Sequence, residues 1–548
     1  MKKSLNFKFN YDIVGYMMLL SLFYSITFSS ILWWFNITIQ PFIFPLAVLI
    51  SILHFFNYNL PIKETILFII LLVLSILLNL IIPDMSWDGQ AYHQPMVYAL
   101  ANGWNPIANS HNPIINDLWN MNIWIDHYLK GMEISAATIF STTGQLEAGK
   151  SVNMILMFSV LFLSLDYLNE SFSHLSQYKV IMYALLFAFP MVFINYGFSF
   201  YIDVAIYYLV FLILFIILSL HKKRHSILLW YLLFIIVSLS ACIKLNTLFW
   251  ICYSITFYGI YLIYKKEYGH FTSIFSLSIL SVMFMLFTVN YNPIITNYID
   301  HHNPVYPLGT KEAKDINVNS MPNMLKDKNR ISQVLISLFS RPNDNMETPY
   351  LNPFHISYRY NIRSLGYGAK LGGGGLFFIE ILITSIILFI ISNKRKNKKI
   401  ITLVSFLFLL ALFILPFGSN YRYVPFISIL PILLLLYTEK AGFKYASVFK
   451  LRSLCLILMI LNNLISIPFY TRNTYLSARS QKKAIEYIHD SNDNISYRTK
   501  NWSFNYKLNG NHISNMTIFS NWYEDYRPIS DQFGPPIYMP KNYFKQKK

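Results

Sequence analysis

A chain of 548 residues with 55% hydrophobic and only 13% charged side chains, at a mean hydropathy of +0.42, is not a water-soluble globular domain; such domains carry about 25% charged residues. The formal net charge of +18 does not point to nucleic acid, because Lys and Arg fall largely in short clusters between apolar runs, where they orient a chain across a bilayer. The three cysteines, Cys242, Cys252 and Cys455, sit in or beside apolar runs and read as small core residues, not as a disulfide framework.

Apolar runs of about 18 residues, enough to cross a bilayer core, recur along most of the chain. The first follows MKKSLNFKFN, lacks a small-residue cleavage site and reads as a retained anchor. Lys2, Lys3 and Lys8 place the N-terminus in the cytoplasm. Spans predicted at 12–34, 41–57 and 64–82 then put residue 83 outside, so that 83–133 is the first extracytoplasmic loop. Residues 131–144, GMEISAATIFSTTG, are too short and too rich in Ser and Thr for a full span and are predicted as a half-inserted or interfacial helix.

Further spans at 150–168, 178–198 and 201–220 bring the chain inside at HKKRH, residues 221–225. Two more, 226–242 and 247–264, return it inside at Lys265 and Lys266, and 271–290 leads out again. A second large loop, 291–375, precedes a span at 376–392 that ends on the inner basic cluster NKRKNKK. Spans at 400–417 and 424–437 bracket the outer turn FGSNYRY, and TEKAGFKYASVFKLR is inside. A last span, 453–470, leaves 471–548 outside, polar and aromatic, expected to dock on the outer face. The expected fold is an all-α polytopic membrane protein of about thirteen spans, with 1–470 as the transmembrane domain and 471–548 as a tail. One orientation satisfies every basic cluster.

The first loop holds the most chemistry. Pro95 followed by MVYALANG predicts a short helix ending near Gly103, lying on the membrane surface with Met96, Val97 and Leu100 on one face. Residues 84–93 form its irregular entry, and Trp87, Trp104, Trp119 and Trp124 suit an interfacial belt. Asp84 and Asp88 read either as simple caps or as functional carboxylates. Lying beside Tyr92 and His93 at the membrane boundary, such a carboxylate serves as general base or holds a divalent cation facing a phosphate.

The strings SWDGQAYHQPMVYAL, DHYLKGMEI and YNPIITNYIDHHNPVYPLG, with an acidic first external loop and many spans, resemble the GT-C class of integral-membrane glycosyltransferases, bacterial relatives of the dolichyl- or polyprenyl-phosphate-sugar transferases. The resemblance implies a polyprenyl-phosphate-linked sugar donor, transfer outside the inner (cytoplasmic) membrane, and a catalytic acid at Asp88, with Asp84 as the alternative. One departure is plain: the class usually carries its catalytic loop after the first span, and here it follows the third.

Other residues join as candidates for binding substrate. His127 and Lys130, with Asp126 and Glu133, close the first loop, either as a solvated turn or meeting an anionic donor group. Arg422, in GSNYRYVP, is a snorkelling anchor or a bidentate phosphate ligand, and the resemblance implies contact with the lipid-linked phosphate. Lys244, in ACIKLNT, and Asp203, in SFYIDVA, lie at outer span boundaries. Asp300, His301 and His302 read as a polar cap or as ligands of a divalent cation, Mg or Mn. The glycine-rich stretch 366–378 lacks the strand context and Lys-Ser/Thr ending of a nucleotide-binding loop.

Together these features predict a membrane glycosyltransferase that moves a sugar from a polyprenyl phosphate to an envelope glycan, lipid or protein. A flippase of lipid-linked saccharides would place charges deep within several spans and repeat its halves. An O-antigen-type polymerase or ligase would place its essential groups in the 291–375 loop.

Overall fold

The computed structural model describes residues 10–55, 62–115, 121–222, 226–308, 321–340, 371–372, 374–392, 398–414, 418–441, 446–490, 498–499, 501–508, 526–529, 537–540 and 543–544. Trp119, residues 223–225, part of the glycine-rich stretch and much of the second loop and tail lie outside that set. The described chain is mostly helical, with one small sheet in the tail.

Among the described residues seven helices are long and apolar enough to cross a membrane: 11–34, 62–81, 146–171, 203–221, 245–264, 268–287 and 448–490. The other six predicted spans fall on shorter apolar helices of 10–17 residues. The first helix, α1 (Tyr11–Trp34), is apolar all round and buried on most sides, as a helix surrounded by other helices must be. It packs on α2 (Ile43–Leu53) and faces α3 (Ile62–Ile81). Ser21, Ser25, Ser29 and Ser30 each return a hydroxyl to a carbonyl three or four residues back at 2.8 Å, so no polar atom of theirs is left to hydrocarbon.

The bilayer-facing side is written in α3. Ile62, Ile66, Ile70, Val73, Leu77 and Ile81 form one exposed stripe, and Glu64, Phe68, Leu72, Ser75 and Asn79 form the buried one. A stripe of large apolar side chains turned outward is the reverse of a water-facing helix and places the surface in lipid.

The first loop departs from its predicted path. Residues 83–86 are irregular, but helical structure resumes at Trp87, runs through a π-turn at Gly89–His93 and continues as α4 (Gln94–Ala101). Gly103, at φ +109, follows the end of α4, where a left-handed turn favours glycine. The helix is covered by protein and not open on one face: Gln94, Pro95, Met96, Val97, Ala99 and Leu100 are all buried. Trp104 is buried too and so belongs to no interfacial belt. The covering comes from α6 (Gly131–Thr143), reached through α5 (Asn122–His127), and from the tail. The α6 helix, too short to span, is buried along Gly131–Phe140 against protein, including α1 through Ser25 and Ser135, whose hydroxyls are 2.8 Å apart.

After α7 (Ser151–Ser171), the predicted span 178–198 is broken. The helix α8 (Gln177–Ala188) stops before Pro190, and α9 (Met191–Tyr196) starts after it. Proline lacks the N–H that the helix needs and clashes with the preceding turn. The freed carbonyls find new donors: Tyr207 Oη to Phe187 at 3.1 Å, Tyr208 Oη to Ala188 at 2.7 Å, and Asn463 Nδ2 to Phe189 at 2.7 Å. Both tyrosines lie on α10 (Asp203–Lys222), so the break locks α10 to α8.

Helices α11 (Ile227–Ile243), α12 (Leu245–Tyr264) and α13 (Tyr268–Phe287) pack on one another, and α11 and α12 also pack on α10. The second loop contributes α14 (Thr296–His301), α15 (Asn323–Lys326) and α16 (Arg330–Leu338). Four helices follow: α17 (Phe378–Ile391), α18 (Lys398–Ile414), α19 (Ile429–Ala441) and α20 (Ala446–Leu464). In the tail, α21 (Ser466–Asp490) runs straight through residue 470. A three-stranded antiparallel sheet, in the order β1 (Arg498–Thr499), β3 (Ile537–Pro540), β2 (Tyr526–Pro528), and α22 (Trp502–Leu508) complete it. The α22 helix packs on α4 and on the π-turn.

Candidate functional site

Four sequence candidates meet at one end of the bundle. Asp88 stands at the entry of the π-turn, and Asp203 is the first residue of α10, where the positive end of the helix dipole favours a carboxylate. Lys244 is the single extended residue between α11 and α12, at φ −159 and ψ 139, so its side chain leaves the bundle where two helices part. Arg422 lies in a 3-10 turn, Tyr421–Tyr423, capped by Asn420, whose side-chain oxygen accepts the Arg422 N–H at 3.1 Å.

Arg422 Nε donates to Asp203 Oδ2 at 2.8 Å, and its Nη2 forms an ion pair with Asp88 Oδ2. The second Asp203 oxygen accepts from Lys244 Nζ at 2.7 Å. The guanidinium lies 4.2 Å from the centre of the Tyr201 ring, and Lys244 lies 5.1 Å from that of Tyr423. Asp203 has no exposure, whereas the side chains of Asp88, Arg422 and Lys244 are 14%, 18% and 21% exposed. Three charges therefore reach solvent, and the buried Asp203 holds two of them, Arg422 and Lys244, in place. Burial alone would lower the Arg422 pKa, but Asp203 and Asp88 outweigh it and hold the guanidinium charged. Burial, reinforced by Asp88, pushes the Tyr92, Tyr128 and Tyr201 hydroxyls up, so the wall of the site is neutral phenol.

Asp84 occupies a different place. It is fully buried, and its carboxylate accepts the N–H groups of Ser86 at 2.7 Å and Phe200 at 2.8 Å. Burial pushes its carboxyl up, and Lys150 opposes the shift. A Cβ on Gly89 would run into that carboxylate and into Ser86 Oγ, so Asp84 packs directly beneath the turn that carries Asp88.

His93 also turns inward, its Nδ1 2.5 Å from Glu133 Oε1 with both side chains buried. Tyr92 stays near the Asp88 site, its ring 6.3 Å from that of Tyr128. Lys130 is caged: Nζ donates to the carbonyls of Asp126 at 2.7 Å and Tyr128 at 2.9 Å, and to Asn292 Oδ1 at 2.7 Å. His127 meets Asn297 Oδ1 at 2.6 Å and lies against the rings of His301 and Tyr306. These two residues tie the first loop to the second.

Asp300 and His301 form the end of α14, with His302 following it in a left-handed turn at φ 52. His301 stacks on Tyr306 at 3.7 Å, while Asp300 and His302 are exposed. Among the described residues no group of three or more His, Cys, Asp or Glu side chains is arranged to hold a metal ion.

Tyr201, Tyr423 and Asn420 were not among the sequence candidates. Their only signal is position: each lies within two residues of Asp203 or Arg422. At a second polar cluster, Glu439 takes Lys179 at 2.8 Å and Arg452 at 3.1 Å. Compared with known proteins, the chain matches no family model, no curated protein and no solved structure.

Proposed function

We propose that the chain is a membrane glycosyltransferase of GT-C type that transfers a sugar from a polyprenyl-phosphate donor to an envelope acceptor. The observation that supports it most is the network Asp88–Arg422–Asp203–Lys244, which gathers a phosphate-binding pair and an accessible carboxylate from four separate elements. Arginine suits a phosphate through its planar fork, and lysine adds a mobile charge. Arriving phosphate competes with Asp88 for Arg422 and frees the carboxylate. Asp88 then takes the proton of the acceptor hydroxyl as the acceptor oxygen bonds to the anomeric carbon. The bond from that carbon to the phosphate oxygen breaks, and its electron pair leaves on a phosphate held by Arg422 and Lys244.

The topology supports the same reading. Counting spans puts residues 88, 203, 244 and 422 outside, and they lie together; it puts residues 179, 439 and 452 inside, and they lie together. Thirteen spans, a cytoplasmic N-terminus, an external C-terminus and an inner-membrane location belong to this proposal.

Its test is transfer by the full chain in nanodiscs, supplied with a polyprenyl-phosphate sugar and an envelope acceptor fraction. Asp88→Asn is expected to reduce transfer at least about 100-fold while polyprenyl phosphate still binds. Undiminished transfer by that variant would sink the mechanism.

A further inference from the structure

The tail reaches the residues that carry Asp88. Gln90, two positions on, is fully buried. Its Nε2 donates to the Asp84 carbonyl at 2.8 Å, and its Oε1 accepts from two tail residues, Gln481 Nε2 at 3.0 Å and Asn501 Nδ2. Gln481 lies on α21, and Asn501 caps α22, its Oδ1 accepting the Phe504 N–H at 2.9 Å. Both tail amides are buried. Around them, Trp502 and Tyr506 place their rings 5.4 and 5.5 Å from that of Tyr98 on α4, and Lys507 Nζ lies 3.6 Å from Glu147 Oε1.

Breaking a hydrogen bond between buried amides is costly, so Gln90 Oε1 and the Gln481 and Asn501 groups that donate to it stay where those bonds form. The turn they grip is a π-turn, an arrangement rare enough to need outside support. Its own amides are held by Ser86: Gly89 N–H to the hydroxyl at 3.2 Å, and Gln90 N–H to the carbonyl at 3.2 Å. Beneath it, Gly89 rests on Asp84, the residue whose carbonyl Gln90 holds.

We infer that the C-terminal segment is a working part of the Asp88 site: Gln481 and Asn501, through Gln90, hold the π-turn that aims Asp88 at Arg422. They are positioning residues, since they touch neither Asp88 nor the phosphate-binding pair. The catalytic consequence rests on the function proposed above, but the positioning itself does not.

The test uses Asn501→Asp and Gln481→Ala in the full chain in nanodiscs. Asn501→Asp keeps an oxygen to cap α22 but loses the donor to Gln90. Amide hydrogen exchange at residues 89–93 is expected to rise about tenfold or more in both variants, with exchange at the start of α10 unchanged. In transfer assays with a polyprenyl-phosphate sugar, kcat falls about tenfold while the donor KM stays within about twofold, because Arg422, Asp203 and Lys244 are untouched. Unchanged exchange at 89–93, or a rise shared equally by α10, overturns the inference. So does a rise confined to 89–93 with kcat intact. Should the unmutated chain transfer no sugar, the functional reading fails and the exchange pattern alone decides the positioning.

Discussion

Arg422 Nε lies 2.8 Å from Asp203 Oδ2, a pairing across 219 residues of sequence. The carboxylate is fully buried and shares its other oxygen with Lys244, so one negative charge fixes two positive ones. Removing half of a buried pair leaves a charge without compensation, at a cost of about 3–5 kcal/mol. Asp203→Asn is therefore expected to lower the stability of the protein in detergent by about 3 kcal/mol, the low end because Arg422 and Lys244 are partly exposed. A melting curve matching that of the parent would show that Asp203 holds neither cation.

Arg422 is expected to be sensitive to shape as well as charge. Lysine in its place keeps a cation but loses the fork that joins Asp88 and Asp203 and the flat contact with Tyr201. Binding of polyprenyl phosphate, measured by titration in nanodiscs, should weaken about tenfold in Arg422→Lys and about 100-fold in Arg422→Ala. Equal affinities for the two variants would count against bidentate binding.

Gly89→Ala tests the floor beneath Asp88. The added methyl collides with the Asp84 carboxylate and with Ser86 Oγ, neither of which is the free end of a long side chain. Overpacking of this kind costs about 1–3 kcal/mol. The expected result is a lower melting temperature together with loss of the Asp88–Arg422 pairing. Gly103→Ala controls for loss of a glycine, since nothing lies near its would-be Cβ and only its φ of +109 opposes the change.

Lys130 gives the fold a pH dependence. Burial lowers its pKa from the model-peptide value of 10.5 to about 7, against the pull of Asp126 and Glu133. Below about pH 7 both the folded and unfolded states carry the proton, and the folded state bears the full cost of a buried charge. Between about pH 7 and 10.5 the unfolded state binds more protons, so this group makes stability rise with pH. Stability measured at pH 7 and pH 10 should therefore rise more in the parent than in Lys130→Met. Parallel profiles would remove Lys130 as the source.

Much of this is legible in the sequence. Asp88, Asp203, Lys244 and Arg422 each stand near the end of an apolar run, and a charge at such a boundary is readable one residue at a time. Asp84, His93 and Lys130 have the same kind of address and point elsewhere: Asp84 under Gly89, His93 to Glu133, and Lys130 into a cage of three oxygens. The Pro95 helix shows the same limit. Its apolar residues were plain, but its burial depends on α6 and on α22, whose sequence lies some 400 residues further on.

Hydropathy and basic clusters by themselves determined the membrane class, where the apolar runs fall, and which residues sit near their ends. Those are properties of position along the bilayer normal, and the transfer of each segment from water into lipid decides them. Which way a side chain faces around its helix is a separate quantity. Lipid is as apolar as leucine and does not choose it. That choice came from tertiary packing: the Ser25–Ser135 contact between α1 and α6, the tyrosines closing the Pro190 break, and the register that brings Arg422 between Asp88 and Asp203.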